Sequence, residues 1–151
     1  MAGVATPVSV ITALCDGSPH GTTVSAFASL SMDPPMVLVS LDRGSELLAL
    51  IRRTRRFGVN LLGADQAALA LAFAKKGGPG KFVGVDWDVD HELPRLDKAP
   101  GWVACDVSTT VDGGDHVVVL GTVTAAACSD GQPLTYHARL FGTHASLESS
   151  R

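Results

Sequence analysis

The sequence predicts a mainly β chain with an α accessory: an antiparallel sheet closed as a Greek-key barrel, with two helices inserted mid-chain. Three observations predict this. Six or seven short runs of β-branched and apolar residues are separated by Gly-, Pro- and Asp-rich turns. The two stretches of helical pattern fall together, between residues 45 and 76. No Gly-x-Gly-x-x-Gly follows a strand, so a dinucleotide-binding βαβ fold lacks its fingerprint.

Composition sets the outer bounds. With 151 residues, 46% hydrophobic and 18% charged, the chain is expected to fold as one domain spanning residues 1–151. A formal net charge of −3 creates no field that would recruit nucleic acid or an anionic membrane. No run of about 18 apolar residues suggests a membrane span, and residues 1–10 carry neither the basic nor the long apolar region of a secretion signal. Cys15, Cys105 and Cys128 are odd in number and widely spaced. They read as buried free thiols in a reducing cytoplasm, and neither a Cys-x-x-Cys nor a paired-His spacing supports a metal site.

The elements follow in order. Residues 8–14 read as a buried strand, and Asp16-Gly17-Ser18-Pro19 as a turn. Residues 21–35, GTTVSAFASLSMDPP, read as one strand with two unlike faces. Thr23, Ser25, Phe27, Ser29 and Ser31 share one face; Val24, Ala26, Ala28 and Leu30 lie on the other. Short hydroxyls around a ring could hold a flat polar ligand, or could pair across strands as on any sheet. Pro34-Pro35 ends this run, and residues 36–41 form a third strand.

Ser45 is a good N-cap, Glu46 suits a first turn, and Leu47, Leu48, Leu50 and Ile51 supply a buried stripe. Arg52, Arg53, Arg55 and Arg56 load the C-terminal end. They either complement the helix dipole in solvent or form a phosphate-binding cluster. Residues 57–62 read as a strand, and Asp65 as the cap of a second helix reaching Lys76. The glycine run 77–80 follows a helix and lacks the Gly-Lys-Ser/Thr ending of a phosphate loop. Lys81 beyond it is either an exposed loop lysine or a cation within reach of a ligand phosphate.

Residues 83–100 read as an irregular surface excursion, an edge hairpin or a lid, whose alternating acids do not match a calcium loop. Residues 102–111 and 116–128 form a β-hairpin across the turn 112–115. Residues 134–141 form a last strand, with residues 142–151 a frayed tail. No Gly-x-Ser-x-Gly elbow points to hydrolase chemistry. His116, where the hairpin turn enters its strand, could orient a ligand ring or bond only its local backbone.

Together these pieces resemble the flavin reductase-like family, the FMN-binding split barrel. The motifs carrying the resemblance are ATPVSVIT (residues 5–12), HGTTVSAFASLSMDPPMVLVSL (20–41), FGVNLL (57–62), FAKK…GKF (73–82), GDHVVVLGTV (114–123) and PLTYHARLF (133–141), in that order. The resemblance implies a homodimer that uses NADH or NADPH to reduce FMN or FAD and, in many members, hands reduced flavin to a flavin-dependent monooxygenase. It places Thr23, Val24, Ser25 and Ala26 along the flavin. It places Ser40, Leu41, Ser45 and Glu46 at the ring edge and phosphate end, and Lys81 and Phe82 on the phosphate side. It makes His116 the catalytic residue beside the nicotinamide, and adds Tyr136 and Arg139 as further cofactor contacts. Relatives usually carry a helix before the first strand, which this sequence does not show. Two other readings stand beside this one: a flavin carrier or sensor without nicotinamide turnover, and a flavoenzyme that reduces another small acceptor.

Overall fold

The computed structural model describes residues 1–147. In chain order the elements are β1 (Thr6–Pro7), β2 (Ser9–Cys15), β3 (Ser18–Val24), β4 (Phe27–Met32), β5 (Pro35–Asp42), α1 (Glu46–Thr54), β6 (Arg56–Leu61) and α2 (Ala67–Ala74). A 3-10 turn (Pro79–Phe82) leads to β7 (Trp87–Asp90), β8 (Leu93–Leu96), β9 (Gly101–Gly113), β10 (His116–Cys128), β11 (Leu134–His137) and β12 (Leu140–Thr143). Seven strands form one antiparallel sheet in the order β3-β2-β6-β9-β10-β5-β4.

β3 and β4 are consecutive in sequence yet lie at opposite ends of that order. Two linking residues, Ser25 and Ala26, span no more than about 11 Å. The sheet must therefore curl until its two edges face each other. The result is a barrel with a seam between β3 and β4. The single strand expected over residues 21–35 is corrected here. The chain leaves one edge at Val24, makes a tight turn in which the Phe27 N–H donates to Ser25 O (3.1 Å), and joins the other edge.

Inside the barrel, Ile11, Val37, Val39, Leu41, Phe57, Val59, Val117 and Val119 pack on Leu47, Leu48 and Ile51 of α1. α1 follows its sequence signals. The Ser45 Oγ accepts from the Leu48 N–H at 3.4 Å, and Arg55, at φ 63°, donates its N–H to Ile51 O to end the helix. Gly121 is needed where β10 bulges: a Cβ there would stand 2.5 Å from Phe57 Cζ. A second cluster joins Val8, Val10, Leu62, Phe73, Phe82, Leu96 and Leu134 beneath α2 and the small sheet β1-β11-β12.

Four other expectations change. α2 is capped at Gln66, not Asp65, and ends at Ala74, because Lys75 already has extended backbone (φ −72°, ψ 156°). Residues 83–100 include the hairpin β7–β8, and β8 is a structural plug: Leu93 and Leu96 are buried, the Thr12 hydroxyl donates to Pro94 O, and Asn60 Oδ1 accepts from the Leu96 N–H. Residues 134–141 are not one strand. Ala138 and Arg139, at φ 51° and 66°, turn the chain into the hairpin β11–β12, which runs through Gly142 and Thr143. Of the rest of the expected tail, residues 144–147 have no regular secondary structure and residues 148–151 lie outside the described residues. Of the three thiols Cys105 is buried, Cys15 partly buried and Cys128 exposed, all unpaired.

Candidate functional site

A cleft of about 710 Å³ opens along the seam. Ten of the thirteen residues singled out in the sequence line it: Thr23, Val24, Ser25, Ala26, Ser40, Leu41, Ser45, Glu46, Lys81 and His116. They arrive from β3, the link to β4, β5, the start of α1, the 3-10 turn and the start of β10, so the barrel closure itself assembles the cleft. The other three lie outside the lining. Phe82 is buried, edge-on to Phe73 (4.9 Å) and Trp87 (5.5 Å). Tyr136 packs on Phe141 (5.3 Å), and Arg139 occupies the β11–β12 turn.

The two walls differ in how their polar groups are engaged. On the β3 wall the Thr23 hydroxyl donates to Ala70 O (2.7 Å) and the Thr22 hydroxyl to Phe73 O (3.5 Å). The Lys81 Nζ donates to Phe73 O and to Gly21 O, each at 3.1 Å. Of these acceptors Phe73 O is one of the last four carbonyls of α2, which lack helical partners, and it takes both the Thr22 hydroxyl and the Lys81 ammonium. Burial lowers the Lys81 pKa, and the Glu46 carboxylate partly offsets that shift. The sequence reading missed three further residues that line this cleft, His20, Lys75 and Lys76. Their signal was available: two adjacent lysines at the end of an apolar helix, and a histidine opening the hydroxyl run.

On the opposite wall β5 and β10 pair so that His116 faces Asp42 across the ladder and Ser40 faces Val118. The His116 Nδ1 lies 2.9 Å from Asp115 Oδ1, which holds the Asp115 carboxyl below the usual carboxylate range. That pairing leaves Nε2 as the imidazole's other polar atom. Asp42 Oδ1 accepts from the Gly44 N–H (2.8 Å), and its carbonyl accepts from the Ser45 N–H (2.9 Å). These bonds turn the chain into α1, and Ser45, Glu46 and Leu47 at its start line the cleft.

The arginine cluster is engaged elsewhere. Arg53 pairs with Asp16, Arg56 with Asp106 and Glu92, and the Arg55 guanidinium donates to Val107 O. This is the solvent-facing, dipole-complementing arrangement.

Fold and cleft define an antiparallel split barrel with a ligand-sized cleft at its seam. The chain belongs to the flavin reductase like domain family, whose family model matches residues 1–145. It is 41% identical over 138 residues to the reductase component of a 4-nitrophenol 4-monooxygenase/4-nitrocatechol 2-monooxygenase from Rhodococcus opacus, covering 91% of this chain and 74% of that one. It is 36% identical over 141 residues to an FMN reductase (NADH) of Agrobacterium fabrum, covering 91% and 78%. Among solved structures, an NADH:FAD oxidoreductase of Streptomyces globisporus in complex with NAD and FAD fragments superposes with TM-score 0.91 at 26% identity, covering 98% of this chain and 90% of that chain.

Proposed function

We propose that this chain is an NADH:flavin oxidoreductase that reduces FMN or FAD in the seam cleft and supplies the reduced flavin to a partner monooxygenase. The observation that carries the reading is the convergence of the hydroxyl strand, the α1 N-terminus, Lys81 and His116 on one cleft, in a chain whose relatives are named as such reductases. The residues fit a flavin. About 710 Å³ lies within the range of cofactor pockets. The small side chains of Thr23, Ser25, Ala26 and Ser40 leave width for a flat ring, and Lys75 and Lys76 supply positive charge for a phosphate, with Lys81 holding the wall behind them.

When bound, the flavin supplies the acceptor for a hydride from dihydronicotinamide. The protein's part is placement. Ser25 and Ala26 form the floor against which a ring can lie, and His116 at the mouth presents Nε2 to the second ligand. Holding two reactants in register supplies much of such a rate enhancement without an acid or base at the transferred atom. Phe82 and Tyr136 pack in the second core cluster, and none of Phe82, Tyr136 and Arg139 lines the cleft, so this reading gives them no cofactor contact within the chain.

The protein works as a homodimer in the cytoplasm. The three unpaired thiols suit a reducing compartment. No helix among the described residues is long and apolar enough to cross a membrane. Support for the dimer comes from the outer face of β4, β5 and β10, where Ala28, Leu38 and Leu120 stand in one cross-strand row beside Met36 and Val118. These residues alternate with the buried Val37, Val39, Val117 and Val119, so they point away from the core. A second copy would cover this uncharged patch. Sedimentation equilibrium should give twice the 15.6 kDa chain mass for the native protein and the single mass for Leu38→Glu. Native protein sedimenting as a monomer would contradict the dimer.

The activity is tested by NADH and NADPH oxidation with FMN, with FAD and without flavin. Oxidation that saturates with added flavin and prefers NADH is expected. No oxidation with any pairing overturns the reading.

A further inference from the structure

Arg43 follows β5 and contributes nothing to the cleft lining, although its neighbours Asp42 and Gly44 both do. Its backbone N–H and all three guanidinium nitrogens turn the other way, onto the β9–β10 turn. Its backbone N–H donates to Asp115 O (2.9 Å). Nε and Nη2 both donate to Gly114 O, at 3.2 and 3.1 Å, and Nη1 donates to Asp112 Oδ1 at 3.2 Å. Four bonds from one residue thus hold the segment 112–115, which ends where His116 begins. Gly114 has φ +67°, a left-handed conformation suited to glycine, so the gripped carbonyl belongs to the residue that makes the turn.

The base of this clamp is itself fixed. Asp42 is bonded by the N–H groups of Gly44 and Ser45, so the segment carrying Arg43 is continuous with the cap of α1. The guanidinium therefore connects the α1 side of the cleft to the turn that carries His116. Its ion pair with Asp112 is solvent-exposed, with side chains 45% and 76% accessible, and such pairs add little stability. What the arrangement does supply is geometry. Two N–H groups converging on one carbonyl require a planar fork, which a lysine ammonium lacks.

We propose that Arg43 is a positioning residue for the nicotinamide half of the reaction: it locks the 112–115 turn so that the His116 imidazole stays at the cleft mouth. The inference rests on the reductase reading for its kinetic consequence, but its structural half can be read without turnover. Arg43→Ala should shift and broaden the His116 Hε1 resonance in a ¹H–¹³C spectrum, identified by its absence in His116→Ala. It should raise the KM for NADH and lower kcat/KM about tenfold, the scale of a small misplacement of a reacting pair. Flavin Kd should stay within twofold of the native value and Tm within about 2 °C. Arg43→Lys keeps the charge but loses the fork, and should recover less than half of the loss. Asp112→Asn, which removes only the exposed ion pair, should behave as native.

An unchanged His116 resonance in Arg43→Ala overturns the proposal. So does an unchanged KM for NADH in active protein, full rescue by lysine, or an equal loss of flavin affinity. If the native protein oxidises no NADH, the reductase reading falls, and the His116 resonance alone then decides whether Arg43 holds the turn.

Discussion

The two walls of the cleft carry similar residue types and use them differently. On the β3 wall the Thr22 and Thr23 hydroxyls and the Lys81 ammonium are bonded to the carbonyls of Gly21, Ala70 and Phe73. On the β5–β10 wall the polar groups brace one another around a turn, through Asp42, Arg43 and Asp115, and leave His116 directed at the cleft. A polar residue beside a cavity is therefore not yet a ligand group. Its other bonds decide whether it is available. In the proposed function the first set maintains the fold and the second is left available to ligands.

Four outcomes would break or sharpen that contrast. The largest belongs to the β5–β10 wall. His116→Ala should lower kcat/KM for NADH about 10²-fold while flavin Kd moves less than twofold; stopped-flow reduction and flavin titration measure the two separately. Equal loss of both would erase the distinction between the walls.

Lys81→Met tests the β3 wall. Hydrogen bonds from a charged donor to two partly buried carbonyls disappear, so stability should fall by about 2 kcal/mol. For a chain of this size that is roughly 4–8 °C in Tm. A loss of flavin affinity with unchanged Tm would show that Lys81 acts mainly as a phosphate ligand.

Lys75 and Lys76 line the same side of the cleft, and neither enters an ion pair among the described residues. Replacing both with Ala should weaken flavin binding about fivefold, or about 1 kcal/mol, with little change in Tm, and the loss should shrink as salt rises. Lysines of one wall would then be separated into committed and available cations.

The smallest effect comes from neither wall. Burial pushes the Cys105 thiol from 9.0 up to about 12, with the Asp106 charge adding to the shift. Between those values the unfolded chain releases a proton that the folded chain retains. Stability therefore falls as pH rises above about 9, because the native state binds more protons than the unfolded state. Urea unfolding between pH 8 and 10.5 should show this decline, and it should be shallower in Cys105→Ala. At neutral pH a thiol reagent should label Cys128 first and Cys105 only on unfolding.

Much of this was legible in the sequence, and the reasons are specific. Ser45, Glu46 and the leucine stripe announce α1 because capping and amphipathicity are local. The β9–β10 hairpin is legible because a Gly-Gly turn separates two long β-branched runs. The break at Ser25–Ala26 is not, since it is set by the curling of the whole sheet, and a serine among several in a β-patterned run is a weak turn signal. The β11–β12 turn is hidden for a related reason: Ala138 and Arg139 adopt positive φ where Asn-Gly would have advertised it. β8 is hidden because the acids around it mask the buried Leu93 and Leu96. Within the cleft, sequence reasoning found the residues brought together but not their engagement. That the Thr23 hydroxyl is spent on α2 depends on Ala70, 47 residues away.

The central claim is that flavin occupies the seam cleft between these walls. Titration of FMN into ¹⁵N-labelled protein, followed by two-dimensional amide spectra, tests it most directly. The account predicts perturbations at residues 23–26, 40–46 and 116, with the second cavity at residues 88–99 undisturbed. Perturbations centred on residues 88–99, or on the β11–β12 hairpin that carries Tyr136 and Arg139, would contradict it.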